Sequence, residues 1–160
     1  MRMGEGVEWA VHSCLVLAWL GDAEPVSTGR LAATFELPPA YLNKQLQALS
    51  KSGILTSTPG PRGGFRLARA PEDISLLDVV TAIEGPDEAF RCQEIRQRGV
   101  GAGVPKRQFR EQCAVAAAMR QADVAWRRTL AQQSLADVKL SADRAAPHTA
   151  ELMREWHAGG

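Results

Sequence analysis

Residues 27 to 70, "STGRLAATFELPPAYLNKQLQALSKSGILTSTPGPRGGFRLARA", constrain the fold of this chain more than any other stretch. Helical spacing runs from Thr28 to Phe35, and Glu36-Leu37-Pro38 interrupts it. A second helix is predicted from Pro39 to Ser52, because proline suits a first helical turn and Gly53 a carboxyl-terminal cap. Two helices joined this tightly form a helix-turn-helix. Two short β-prone runs follow, separated by Pro59-Gly60-Pro61-Arg62-Gly63-Gly64, and paired glycines between such runs mark a hairpin. A hairpin placed there is a wing, with Arg62 near its tip. The expected fold class is mainly α with a small β-hairpin wing.

Charge says which surface such a domain presents. The chain has 19 basic and 18 acidic residues, which excludes a uniformly basic coat. Between Leu37 and Ala70, however, there is no Asp or Glu, while Lys44, Lys51, Arg62, Arg66 and Arg69 give the stretch a charge of +5. A local basic island over a helix-turn-helix and its wing is the footprint of a phosphate-facing surface. The expected partner is double-stranded DNA, with a helix in the major groove and the hairpin reaching an adjacent groove or the phosphates.

Around this core the periodicity predicts a first helix over residues 7–20, ended near Gly21 and Pro25, and a further helix over 74–85. From Pro86 to about Arg110 the glycines at 99, 101 and 103 leave no regular element expected. One long helix is predicted after Cys113, with Val115, Met119, Val124, Trp126 and Leu130 offering more apolar surface than a small domain covers, which suits subunit pairing. The expected organisation is a winged helix-turn-helix domain over 1–85, a loop over 86–113, a dimerisation helix over 114–140, and a tail or short helix over 141–160. His148 and His157 are expected to be solvated in that tail. No apolar run approaches the roughly 20 residues that span a bilayer, and no secretory signal opens the chain, so a cytoplasmic location is expected. No phosphate loop, nucleophile elbow or HExxH is present, and neither catalysis nor a small-molecule substrate is expected.

The cysteines are Cys14, Cys92 and Cys113. An odd count argues against a disulfide framework and leaves ligating or reactive thiols. In "EWAVHSCL", Glu8 and His12 stand on one helix face, within reach of one metal, whereas Cys14 turns away and is expected in the core. By spacing alone, a lone Glu/His pair such as Glu8/His12 is usually an ordinary surface pair, with a ligand pair as the alternative.

Residues 37–85 closely resemble the Rrf2 family of bacterial winged-helix regulators. The marks are Tyr41-Leu42, Gly60-Pro61, Gly63-Gly64-Phe65, Leu67-Ala68-Arg69, Pro71, Ile74 and Ala82 to Gly85, within a likeness covering about residues 1–140 and nearest to the redox-regulating, RsrR-like members. The resemblance implies a homodimer joined by the long helix. It places Ala40, Asn43 and Lys44 where the family contacts bases or backbone; Asn43 is either a bidentate reader of adenine or an exposed helix residue, and Lys44 is expected on a phosphate. Pro59 stands where the family often has a basic residue, and Arg62 is expected to replace it in the groove.

The resemblance also implies an iron-sulfur cluster. Only two cysteines lie in the loop, so a three-cysteine [4Fe-4S] site is not expected. The implied set is a [2Fe-2S] cluster, one per subunit, on Glu8 and His12 of one subunit and Cys92 and Cys113 of the other. A one-electron change at the cluster is then expected to alter operator affinity, with Trp9 as a switch or, alternatively, a packing anchor. Zinc on the same residues, a Cys92/Cys113 thiol switch, or nitric-oxide sensing are the alternatives.

Overall fold

A computed structural model describes residues 3–21 and 24–159. They form two compact units, residues 3–86 with 130–159 and residues 87–129.

The first unit is built around α1 (Glu5–Leu20). Apolar residues occupy nearly every side of this helix, so it is buried rather than amphipathic: Ala10, Cys14, Leu15, Val16, Leu17 and Trp19 all lie in the core. Gly6 permits a close approach to a neighbour, because a Cβ there would stand 2.9 Å from the side chain of Gln45. Burial pushes the Cys14 thiol up to about 12. Its expected core position is the observed one.

The helix-turn-helix consists of α2 (Thr28–Thr34) and α3 (Pro39–Lys51). Ser27 caps α2 by accepting from the Arg30 N–H at 3.3 Å, Glu36 takes the left-handed conformation at φ 52 in the break, and Pro39 opens α3. Leu42, Leu46 and Leu49 of α3 are fully buried with Leu31 of α2 and Ile54, so truncating any of them to alanine costs about 2–5 kcal/mol.

The wing is an antiparallel pair, β1 (Leu55–Thr58) and β2 (Gly64–Leu67), in the register Leu55↔Leu67 to Thr58↔Gly64. Val26 joins its edge through two hydrogen bonds with Phe65, of 2.9 and 2.8 Å. This explains the second of the paired glycines: a Cβ on Gly64 would fall 2.3 Å from the Val26 carbonyl.

Beyond the wing lie α4 (Leu76–Glu84), α5 (Ala114–Ala131), α6 (Leu135–Ala145) and α7 (Thr149–Ala158). The single long helix expected after Cys113 is two helices. Ser134 and Asp137 form a capping box that starts α6, and the break is held by Leu76 N–H donating to the Gln133 carbonyl at 2.9 Å and Leu135 N–H to the Ile74 carbonyl at 2.7 Å. An equivalent box on Ser75 and Asp78 starts α4, so two helix starts pair back to back. Trp19 of α1 donates to Asp143 of α6 at 2.7 Å, and α7 packs against α1 rather than forming a solvated tail.

The second unit corrects another expectation. Its glycine-rich segment carries 3₁₀ turns over Ile95–Gln97, Gly99–Gly103 and Lys106–Phe109. Glycine excludes a long helix but favours these tight turns, and only glycine fits at 101, because a Cβ there would clash at 1.8 Å with the Arg96 carbonyl oxygen. On α5, Val115, Met119 and Val124 are 61%, 43% and 57% exposed.

Candidate DNA-binding surface and metal centre

Helix α3 divides its residues by the helical period. Leu42, Gln45, Leu46 and Leu49 face the core, which leaves Ala40, Tyr41, Asn43 and Lys44 exposed together. These include every α3 residue expected to contact DNA. Asn43 does not wait free: its side-chain oxygen accepts from the Thr28 hydroxyl at 3.2 Å, which fixes the amide relative to α2. Arg62 is exposed at the wing turn. Arg69 is instead a structural staple, donating to the carbonyls of Gly53 at 3.3 Å and Asp73 at 2.9 Å.

The expected metal ligands fall in two pairs, one per unit. Glu8 and His12, on α1, line a small pocket of about 240 Å³ together with Trp9, Phe35 and Leu37. Both acid and imidazole are exposed. The His12 ring meets Phe35 edge-on at 5.5 Å between centroids, and the Trp9 ring meets Tyr41 in the same manner at 5.2 Å. One pocket thus touches the end of α2 and, through a ring pair, the exposed face of α3.

Cys92 and Cys113 line a cavity of about 480 Å³ with Phe90, Ile95 and Val115. The structure therefore brings to one apolar cavity two thiols that are 21 positions apart in the chain. Backbone N–H groups at the start of α5, chiefly that of Ala116 and then Val115, with the nearby Arg96 guanidinium, hold the Cys113 thiol below its ordinary range against partial desolvation. Glu94 sits in the left-handed conformation at φ 50, and its N–H points to the Cys92 sulfur at 3.4 Å. Among the described residues, no three His, Cys, Asp or Glu side chains come together as a metal site.

A family whose description reads "Iron-dependent Transcriptional regulator" matches residues 3–140. The chain belongs to the Rrf2 family. It is 36% identical over 138 residues to the HTH-type transcriptional regulator YffB of Lactococcus lactis, covering 86% of each. Among solved structures, CymR, the global cysteine regulator of B. subtilis, is similar at a TM-score of 0.68 and 20% identity over 88% of this chain and 98% of that one. IscR of T. potens is similar at a TM-score of 0.67 and 20% identity, over 91% of each chain. At that identity the likeness shows the winged-helix fold alone. As an Rrf2 protein the chain is a DNA-binding transcriptional regulator and not an enzyme. Among the described residues, no helix is long and apolar enough to cross a membrane.

The residue of this Rrf2 chain that sequence reasoning missed at the thiols is Arg96. It donates to both oxygens of Glu94, at 2.5 and 2.8 Å, and to the Glu111 carbonyl at 3.2 Å, and it lies 5.3 Å from the Phe109 ring centre. One side chain thereby ties the segment after Cys92 to the segment before Cys113. In the sequence it is one arginine among several in a glycine-rich run, with no signal to set it apart. Tyr41 and Phe35 were likewise legible only as aromatic residues of the helix-turn-helix.

Proposed function

We propose that this regulator senses redox state with a [2Fe-2S] cluster, one per subunit, held by Cys92 and Cys113 of one subunit and by Glu8 and His12 of its partner in a homodimer. The observation that carries the reading is the shared cavity of Cys92 and Cys113, with Cys113 favoured as thiolate. Thiolate is the form that binds a soft metal, and each unit supplies two donors toward the four that such a cluster takes. Bound there, the cluster supplies reversible one-electron chemistry, with neutral imidazole ligation raising its potential above that of an all-cysteine site.

The chain's own residues do the rest. Arg96 holds the two cysteine segments together and adds positive charge near both sulfurs. Glu8 and His12 hold their positions from the surface of a buried helix, so a change in the charge they face acts on a rigid element. Trp9 and Phe35 then carry the change to Tyr41 on α3 and to the end of α2, the elements that present Asn43 and Lys44 to DNA. The exposed Val115, Met119 and Val124 of α5 are the surface on which a second copy pairs.

A second reading rests on the same cavity: two thiols lining one space, one of them activated, could instead form a disulfide on oxidation. Iron and acid-labile sulfide on anaerobically purified protein separate the two. About two of each per chain, with a visible spectrum that bleaches reversibly with dithionite and is lost in Cys92→Ala, Cys113→Ala and His12→Ala, is the expected result. Protein that carries zinc or no metal overturns the cluster reading, and oxidation-dependent loss of free thiols in that protein selects the disulfide.

A further inference from the structure

Between α2, the wing turn and α7 lies a cavity of about 560 Å³, within the roughly 300–1,000 Å³ range of small-molecule sites. Leu20, Pro25 and Val26 give it an apolar wall. Its polar wall is cationic, with Arg30 from α2, Arg62 from the wing turn and Arg154 from α7. Among the described lining residues Glu24 is the one carboxylate against these three guanidinium groups, and Arg154 also acts on the Asp143 carboxylate. Among the described residues, none of the three arginines is in an ion pair.

The wall is also organised. The Arg30 guanidinium donates to the Trp156 carbonyl and lies 6.0 Å from the Trp156 ring centre, which fixes a long side chain that would otherwise be mobile. His157 lines the cavity beside it, with Nε2 at 3.2 Å from the Thr34 hydroxyl and with Nδ1 buried and unpartnered among the described residues. Burial, then the charge of Arg30, keeps this imidazole neutral over a wider range than usual. A buried ring nitrogen without a partner among the described residues, in a wall lined by three guanidinium groups, is a polar group positioned to meet a polar ligand. Helix α7, which completes the cavity, lies outside residues 3–140 matched by the family.

We propose that the cavity binds a small phosphomonoester as an effector, its phosphate held by Arg30, Arg62 and Arg154. A phosphate dianion complements a wall in which guanidinium groups outnumber carboxylates among the described residues, and the fork of a guanidinium pairs with phosphate through two parallel hydrogen bonds. A DNA phosphodiester carries a single charge, whereas a phosphomonoester carries up to two. Because Arg62 belongs both to this wall and to the wing, an occupied cavity withdraws it from DNA and lowers operator affinity; this consequence rests on Arg62 as a DNA contact.

Calorimetric titration of the full-length protein with glycerol 3-phosphate, without DNA, tests the site by itself. Saturable binding at one per chain, weakened at least tenfold in Arg154→Ala, is the expected result; Arg154 is exposed, and a thermal melt checks that the variant is folded. Operator binding is then measured at fixed salt with and without glycerol 3-phosphate. A severalfold loss of affinity in the wild type and none in Arg154→Ala is expected. Absence of saturable binding overturns the site. A reduced salt dependence of DNA binding in Arg154→Ala without the phosphate compound also overturns it, because the cavity would then serve the DNA backbone. Saturable binding that leaves operator affinity unchanged overturns the effector role.

Discussion

Cys113 owes its lowered thiol pKa chiefly to its place at the start of α5. The N–H groups of Ala116 and Val115 and the Arg96 guanidinium stabilise its thiolate, whereas Cys14, inside α1, is pushed up to about 12 by burial. In metal-free protein, Cys113 is expected to alkylate with a pH profile whose midpoint lies below that of free cysteine, while Cys14 stays unmodified until the chain unfolds; mass spectrometry after timed iodoacetamide pulses at several pH values checks both. Lys44 is exposed on α3, and its proposed role is a phosphate contact of the DNA surface. Lys44→Ala should weaken all sequences alike and reduce the slope of log K against log salt by about 0.9, and an unchanged slope would remove it from the interface. The residue scale is also where the sequence was most legible. Glu8, His12 and Cys14 sit as the helical period places them, because the period of an uninterrupted helix is set by its own backbone. Arg96 was not legible, because its partners Glu94, Glu111 and Phe109 are brought to it by turns.

Among the elements, the wing depends on an approach between backbones. Val26 pairs with Phe65 across a space that Gly64 leaves empty. Gly64→Ala is therefore expected to destabilise the protein by about 1–3 kcal/mol through overpacking, read as a lower midpoint of chemical denaturation, and to weaken DNA binding by displacing Arg62. Helix α7 is expected to be secured by a neutral imidazole, that of His157, whose Nε2 lies 3.2 Å from the Thr34 hydroxyl. The folded-state value of His157 lies below its ordinary 6.5, through burial and Arg30, so the unfolded chain takes up the proton first as the pH falls. Its contribution is complete above pH 6.5 and declines below it, with burial and then Arg30 opposing the imidazolium; Arg62, Arg154 and Glu24 line the same cavity. Amide exchange of residues 149–158, corrected for intrinsic rates, should quicken between pH 7.5 and about 5.5 relative to α3; equal protection at both pH values would show that His157 does not secure the helix.

For the molecule as a whole, the chain by itself determined the winged helix-turn-helix. The proline pair at the break, the glycine pair in the wing, the acid-free stretch and the all-round apolar first helix are local signals, and each is enforced by backbone geometry or by solvation along a few consecutive residues. Even the break between α5 and α6 was written there, in Ser134 three positions before Asp137, although the alanine-rich run on either side favours a continuous helix. Only the tertiary structure decided the rest: that Cys92 and Cys113 share a cavity, that Trp9 reaches Tyr41, and that the tail returns to place Arg154 and His157 beside Arg30. These are contacts between segments 21 to 127 positions apart, and no local period encodes them. They form because packing buries apolar surface and pairs polar groups wherever the folded chain brings them, and that choice is made by the whole chain at once.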